Sequence, residues 1–116
     1  MNELILTLTF ISSMTVTSYR SVPAQTDSSP YITSIGEKVN KSGVAASQDL
    51  LKAGTLKYGD IIYVEGYGLK VVNDTMHPRM TNHIDMWVKT KAEEHKVGTR
   101  TLRIYKIKGV QYEKAH

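Results

Sequence analysis

Polar and apolar residues alternate along this chain in short runs, and glycine or a polar turn cuts nearly every run off. Ile61-Ile62-Tyr63-Val64-Glu65 is followed by Gly66-Tyr67-Gly68 and then by Leu69 to Asn73. That reads as a strand, a tight turn and a returning strand. Met14 to Tyr19 alternates in the same way, with Thr15, Thr17 and Tyr19 on one side and Met14 and Val16 on the other. Leu4, Leu6, Leu8 and Phe10 alternate with Thr7 and Thr9, which predicts a strand whose leucine face is buried against the rest of the fold or a partner. After a polar loop from Ser21 to Pro30, Tyr31 to Ser34 is a short extended piece, and Asn40 to Gly43 reads as a turn. Val44 to Ser47 is a short buried strand, and Thr99 to Ile107 a final long one that Gly109 turns towards Val110, leaving Glu113 to His116 frayed. Only two stretches read as helix: Gln48 to Ala53, stopped by Gly54, and Lys91 to Val97, stopped by Gly98. Roughly seven short strands with two helical snippets predict an all-β barrel or sandwich.

With 116 residues and no internal repeat, the chain fits one domain. The absence of cysteine excludes a disulfide framework and a thiolate zinc site. A formal charge of +4 suits an anionic polymer. No stretch is long and apolar enough to span a membrane as a helix. Leu4 to Ile11 has the apolarity of a signal peptide, but no Lys or Arg precedes it and Glu3 is acidic, so a strand is preferred over a signal remnant. No glycine-rich loop opens a helix, so no nucleotide cofactor is expected.

The chemistry concentrates between Val71 and Val88. Asp74 closes one apolar run, and Asp85 sits inside another, between Ile84 and Met86. A carboxylate inside an apolar strand is costly to bury without a partner or a task. Strand alternation groups Ile84, Met86 and Val88 on one face and His83, Asp85 and Trp87 on the other, which joins a base, an acid and a large aromatic ring. The structural reading of the same residues is a half-exposed acid capping a loop beside a core tryptophan. Asp74, His77, His83 and Asp85 lack compact ligand spacing, so no metal is expected. Ser47, His83 and Asp85 lack the glycines of a nucleophile elbow. Arg100, Arg103, Lys106 and Lys108 read as a solvated edge strand rather than a nucleic-acid surface.

The order of Thr17-Ser18-Tyr19, Thr33-Ser34-Ile35-Gly36, Gly43-Val44-Ala45-Ala46, Leu56-Lys57-Tyr58-Gly59-Asp60, Gly66-Tyr67-Gly68, Asp74-Thr75 and His83-Ile84-Asp85 resembles the 3D (three-aspartate) domain family. That family is similar to the C-terminal domain of membrane-bound lytic transglycosylase A and to muralytic stationary-phase survival proteins. The resemblance implies a six- to seven-stranded double-psi β-barrel with one or two short helices over residues 14–108. Residues 1–13 are then an added strand or signal remnant, and 109–116 a tail. It implies cleavage of peptidoglycan glycan strands with a 1,6-anhydro-muramic product, no cofactor, and a place in the extracytoplasmic cell wall or a phage particle. Asp85 matches the family's last aspartate, the acid/base, and Asp74 its supporting acid. Thr17, Tyr19 and Thr33 match cleft-lining positions, and Trp87 is placed on the substrate side. Ser47 stands where the family has its first aspartate, with Asp49 two residues on. The alternative is a barrel that holds glycan without cutting it, or a structural part of a phage particle or cell-envelope assembly docked to a neighbour through the N-terminal strand.

Overall fold

Leu4 to Tyr19 contains neither proline, glycine nor charge, so nothing in it forces a strand to end. In a computed structural model, which describes residues 2–20 and 42–114, the two alternating runs at the N-terminus are one continuous strand, β1 (Asn2–Tyr19). It is followed by β2 (Gly43–Ala46), helix α1 (Gln48–Lys52), β3 (Ile61–Val64), β4 (Gly68–Thr75), β5 (His83–Trp87), helix α2 (Lys91–Val97) and β6 (Arg100–Lys114). The strands close into a barrel in the order β1-β5-β2-β4-β3-β6, with β6 returning to β1. The all-β expectation holds as a closed six-stranded barrel with two short helices. The expected Tyr31 to Ser34 strand, the loop before it and Thr33 lie outside the described residues.

Two pairs are parallel, β1 with β5 and β2 with β4, and the rest are antiparallel. Parallel neighbours require long crossings rather than hairpins. The one tight hairpin is where the glycines predict it: Gly66 and Gly68 take φ of 81° and 90° between β3 and β4. Alternate residues fill the interior, among them Met14 and Val16 of β1, Val44 and Ala46 of β2, Ile84 and Met86 of β5, and Ile104 of β6. Leu50 of α1 and Val97 of α2 close the core. Each such side chain, fully buried, contributes about 1.5–3 kcal/mol. Thr90 caps α2 by accepting from the Glu93 N–H at 3.1 Å, and Arg100 donates to the Val97 and Lys96 carbonyls at its other end.

Period-two arithmetic fails where a strand carries an extra residue, because a bulge exchanges its two faces. Phe10 pairs with Tyr105 and Ser12 with Ile104, which leaves Ile11 unopposed. Beyond that point the residues that share a parity with Met14 turn outward. Leu6, Leu8 and Phe10 are 40%, 41% and 53% exposed, and Thr7 and Thr9 on the other face are exposed as well, so neither face of this stretch packs on the barrel. The Phe10 ring meets Tyr105 edge-on, 5.5 Å between centroids, on the outer surface. A second irregularity leaves Lys108 unopposed between Thr7↔Gly109 and Leu8↔Ile107, and it absorbs the expected turn at Gly109. β6 runs on to Lys114, through Glu113, instead of bending back and fraying. The third bulge is in β4. Val44 pairs with Val72 and Ala45 with Asp74, so Asn73 is the extra residue. Its side chain lies over Gly43, where a Cβ would sit 2.7–2.8 Å from the Asn73 amide.

Candidate functional site

Register lines up one rank across four strands. Thr17 is opposite Asp85, Asp85 opposite Ala45, and Ala45 opposite Asp74. Val16, Ile84, Val44 and Ala46, the chain neighbours of these residues, face the core, so the rank lies on the outer wall. Asp74 joins it only because of the bulge at Asn73. Were Asn73 paired regularly instead of bulged, Asp74 would share the inward parity of Val72. Neighbouring strands are about 4.8 Å apart, so the two aspartate backbones stand about 10 Å apart. Ala45, itself buried, lies between them in the rank.

Thr17 ties the rank together. Its hydroxyl donates to Asp85 Oδ1 at 3.0 Å and lies 2.6 Å from His83 Nε2. One hydroxyl has one proton, so His83 donates from Nε2 and the chain runs His83 to Thr17 to Asp85. His83 is buried, and that desolvation keeps its ring below the usual imidazole range and neutral. Burial pushes the Asp85 carboxyl up to about 6, against the pull of Thr17, and the negative charges of Glu94 and Asp74 add to the rise. A carboxyl with this pKa holds its proton up to about pH 6, keeps a protonated fraction near neutrality, and can also give it up.

Tyr19, two residues along β1 from Thr17, places its hydroxyl 3.3 Å from Asp74 Oδ2. β5 and β2 lie between their strands, so the ring crosses the rank. Burial and the two aspartates push the phenol well above its ordinary range, so it remains a donor. Asp74 also accepts the Thr75 N–H at 2.8 Å. Glu94 escapes a reading by pattern, because on a seven-residue helix it looks like a solvated acid. α2 brings it close enough to influence Asp85, and Arg20 holds it at 3.3 Å. The only signal was its place on the first turn of a helix that starts four residues after Trp87.

The remaining candidates are placed differently. Ser47 is fully buried. Its hydroxyl accepts the His83 N–H at 3.0 Å and donates to Asp49, whose carboxyl is thereby held below the usual range. Ser47 thus fixes the start of β5 from below and presents nothing at the surface. Asp49 accepts the Asn82 N–H at 3.0 Å and belongs to the same clamp, not to the rank. Trp87 is half-buried and lines a groove of about 260 Å³ with Tyr67, Lys70, Met86, Val88, Glu93, Lys96 and Val97. This groove adjoins the acids along β5 but includes neither of them. Among the described residues no three His, Asp or Glu side chains converge as a metal site, and no helix is long and apolar enough to cross a membrane. No protein-family model matches the sequence, and none of the curated proteins is significantly similar to it.

Proposed function

We propose that the chain is a peptidoglycan-cleaving protein of the lytic transglycosylase type, with Asp85 as the single acid/base. The observation that carries this reading is the Thr17–Asp85–Ala45–Asp74 rank. It offers one partly buried carboxyl of raised pKa beside a second acid, with the Tyr19 ring reaching across buried Ala45 to hold that second acid. Such an acid suits a reaction in which one group acts twice. Asp85 protonates the glycosidic oxygen as its bond to C1 breaks. It then takes the proton of the sugar's own C6 hydroxyl as that oxygen bonds to C1, which leaves a 1,6-anhydro ring and returns Asp85 to its starting state. A hydrolase needs a second carboxyl as nucleophile or to activate water. This route does not, so it accommodates Ser47 in place of the first aspartate of the 3D family.

Asp74 supports the charge developing at C1, held by Tyr19, and Thr17 fixes Oδ1 of Asp85 so that the other oxygen meets substrate. Trp87 and its groove offer an apolar wall beside the acids for the adjoining sugar. The two parallel strand pairs favour the double-psi reading of the barrel, and with it a place in the cell wall or a phage particle. Purified cell walls test the proposal. Turbidity should fall and anhydro-muropeptides should be seen by mass spectrometry, with Asp85→Asn reducing the rate about 10²–10⁴-fold. Equal lysis by the wild type and Asp85→Asn overturns the assignment. Binding to insoluble walls with no cleavage by either replaces it with a glycan-holding barrel.

A further inference from the structure

The wall of the barrel accounts for only part of β1 and β6. β5 joins β1 at Thr15, and β3 pairs with β6 at Ile104 to Lys106. Beyond those points the two strands continue together as a two-stranded ribbon, from Leu8↔Ile107 out to Asn2↔Lys114. The molecule is accordingly 54 Å long against 30 and 27 Å across. Among the described residues, no strand lies along the side of residues 2–13 that faces away from β6. A lone two-stranded ribbon is at best marginally stable in water. This one also leaves Leu6, Leu8 and Phe10 exposed.

Its two edges differ. Along the ribbon β6 carries Lys108, Glu113 and Lys114, and a bulge at Lys108. Charge and bulges are the means by which edge strands avoid pairing with other chains. β1 has none of that charge from Leu4 to Tyr19 and no proline, and its bulge at Ile11 lies at the barrel end of the ribbon. A charged partner would find nothing to complement on β1. Along β1 two copies of this chain can meet edge to edge with no like charges opposed between Leu4 and Ser13.

We propose that the outer edge of β1, residues 2–13, pairs antiparallel with the same edge of a second copy. The result is a two-fold dimer through a four-stranded sheet in the order β6-β1-β1-β6. A two-fold axis sets like strands antiparallel by symmetry, and the same surface serves both copies. Leu6, Leu8 and Phe10 of each copy then adjoin those of the other on one face. The inference does not rest on the glycan reading.

Sedimentation velocity of the full chain at micromolar concentration should show twice the chain mass. Thr7→Lys with Thr9→Lys changes exposed positions only and should give a monomer with an unchanged far-ultraviolet spectrum. Thr7→Glu with Thr9→Glu should also be monomeric alone, and mixing the two variants should restore the dimer. A cysteine walk from Ile5 to Ile11, in a chain with no cysteine of its own, should form disulfide dimers most readily at the residue nearest the two-fold axis. A monomeric wild type overturns the proposal, including one whose ribbon is captured only by a different protein. So does a dimer that both charge variants leave intact.

Discussion

Replacing Asp85 by Asn should stabilise the protein at neutral pH and leave it unchanged in acid. In the folded chain burial holds the Asp85 carboxyl at about 6, against an ordinary value of 3.8. Between those values the folded state holds a proton that the unfolded state has lost, so stability falls as pH rises. The contribution is fully present below 3.8 and lost once pH has risen through about 6. The difference is roughly two pKa units, each worth about 1.4 kcal/mol, so ionised Asp85 costs the fold about 3 kcal/mol above neutrality. Asn keeps the shape and removes the charge, at the expense of a weaker bond from Thr17. Urea unfolding of both proteins from about pH 3.5 to about pH 7.5 measures the difference directly, because every other titrating group largely cancels. Asp85→Asn minus wild type should grow by about 3 kcal/mol over that range, or about 10 °C in Tm for a domain of this size. A difference that stays constant with pH refutes the reasoning, whatever the protein does to cell walls. It would mean that Asp85 is solvated as an ordinary acid and that the rank is not a proton-holding site.

Glu94→Gln and Asp74→Asn should each lower the pKa of Asp85, because each removes a negative charge that raises it; the alkaline limb of a wall-lysis profile should move to lower pH, and an unmoved limb would detach these acids from Asp85. Gly43→Ala places a methyl group against Asn73 and should destabilise the barrel by about 1–3 kcal/mol in urea. Any surviving lysis should then fall more than stability alone explains, since the bulge that aims Asp74 is disturbed. Ser47→Ala should leave the buried His83 N–H without its acceptor, at a cost of about 1–3 kcal/mol. It should also raise the pKa of Asp49, which carboxyl NMR titration reads; if neither changes, the clamp beneath β5 carries no load.

The strands around the site were legible because alternation in Met14–Tyr19 and His83–Trp87 is uninterrupted, so Thr17, Tyr19 and Asp85 share a face in both pattern and structure. Both helices announced themselves through their glycine stops. Alternation does not say whether the Leu6, Leu8 and Phe10 face meets the barrel or a partner, because that depends on how far β1 and β6 run past the other strands. The extra residue at Ile11 is a property of the β1–β6 pairing rather than of β1. Asp74 was found by resemblance, although its presentation depends on a bulge that the residues Val72-Asn73-Asp74 do not declare. Ser47 reads as the end of a short buried strand, and the resemblance puts it where the family has its first aspartate. Only the tertiary approach of His83 shows that its oxygen is already engaged. Glu94 depends on where α2 docks, which no local pattern encodes.

The bulge at Asn73 frees the placement of Asp74 from the alternation of β4. Deleting that one residue would make Asp74 follow Val72 directly, still opposite Ala45 and still on the outer wall. Keeping Asn73 but pairing it regularly with Ala45 would instead set Asp74 opposite Ala46 and turn it into the interior, where a carboxylate has no solvent and no Tyr19. What holds Asp74 outward is therefore the bulge itself, with the Asn73 side chain seated over Gly43. A larger residue at position 43 threatens the acid pair more than the loss of Asn73 does, because it presses on the bulge while leaving the extra residue to be accommodated.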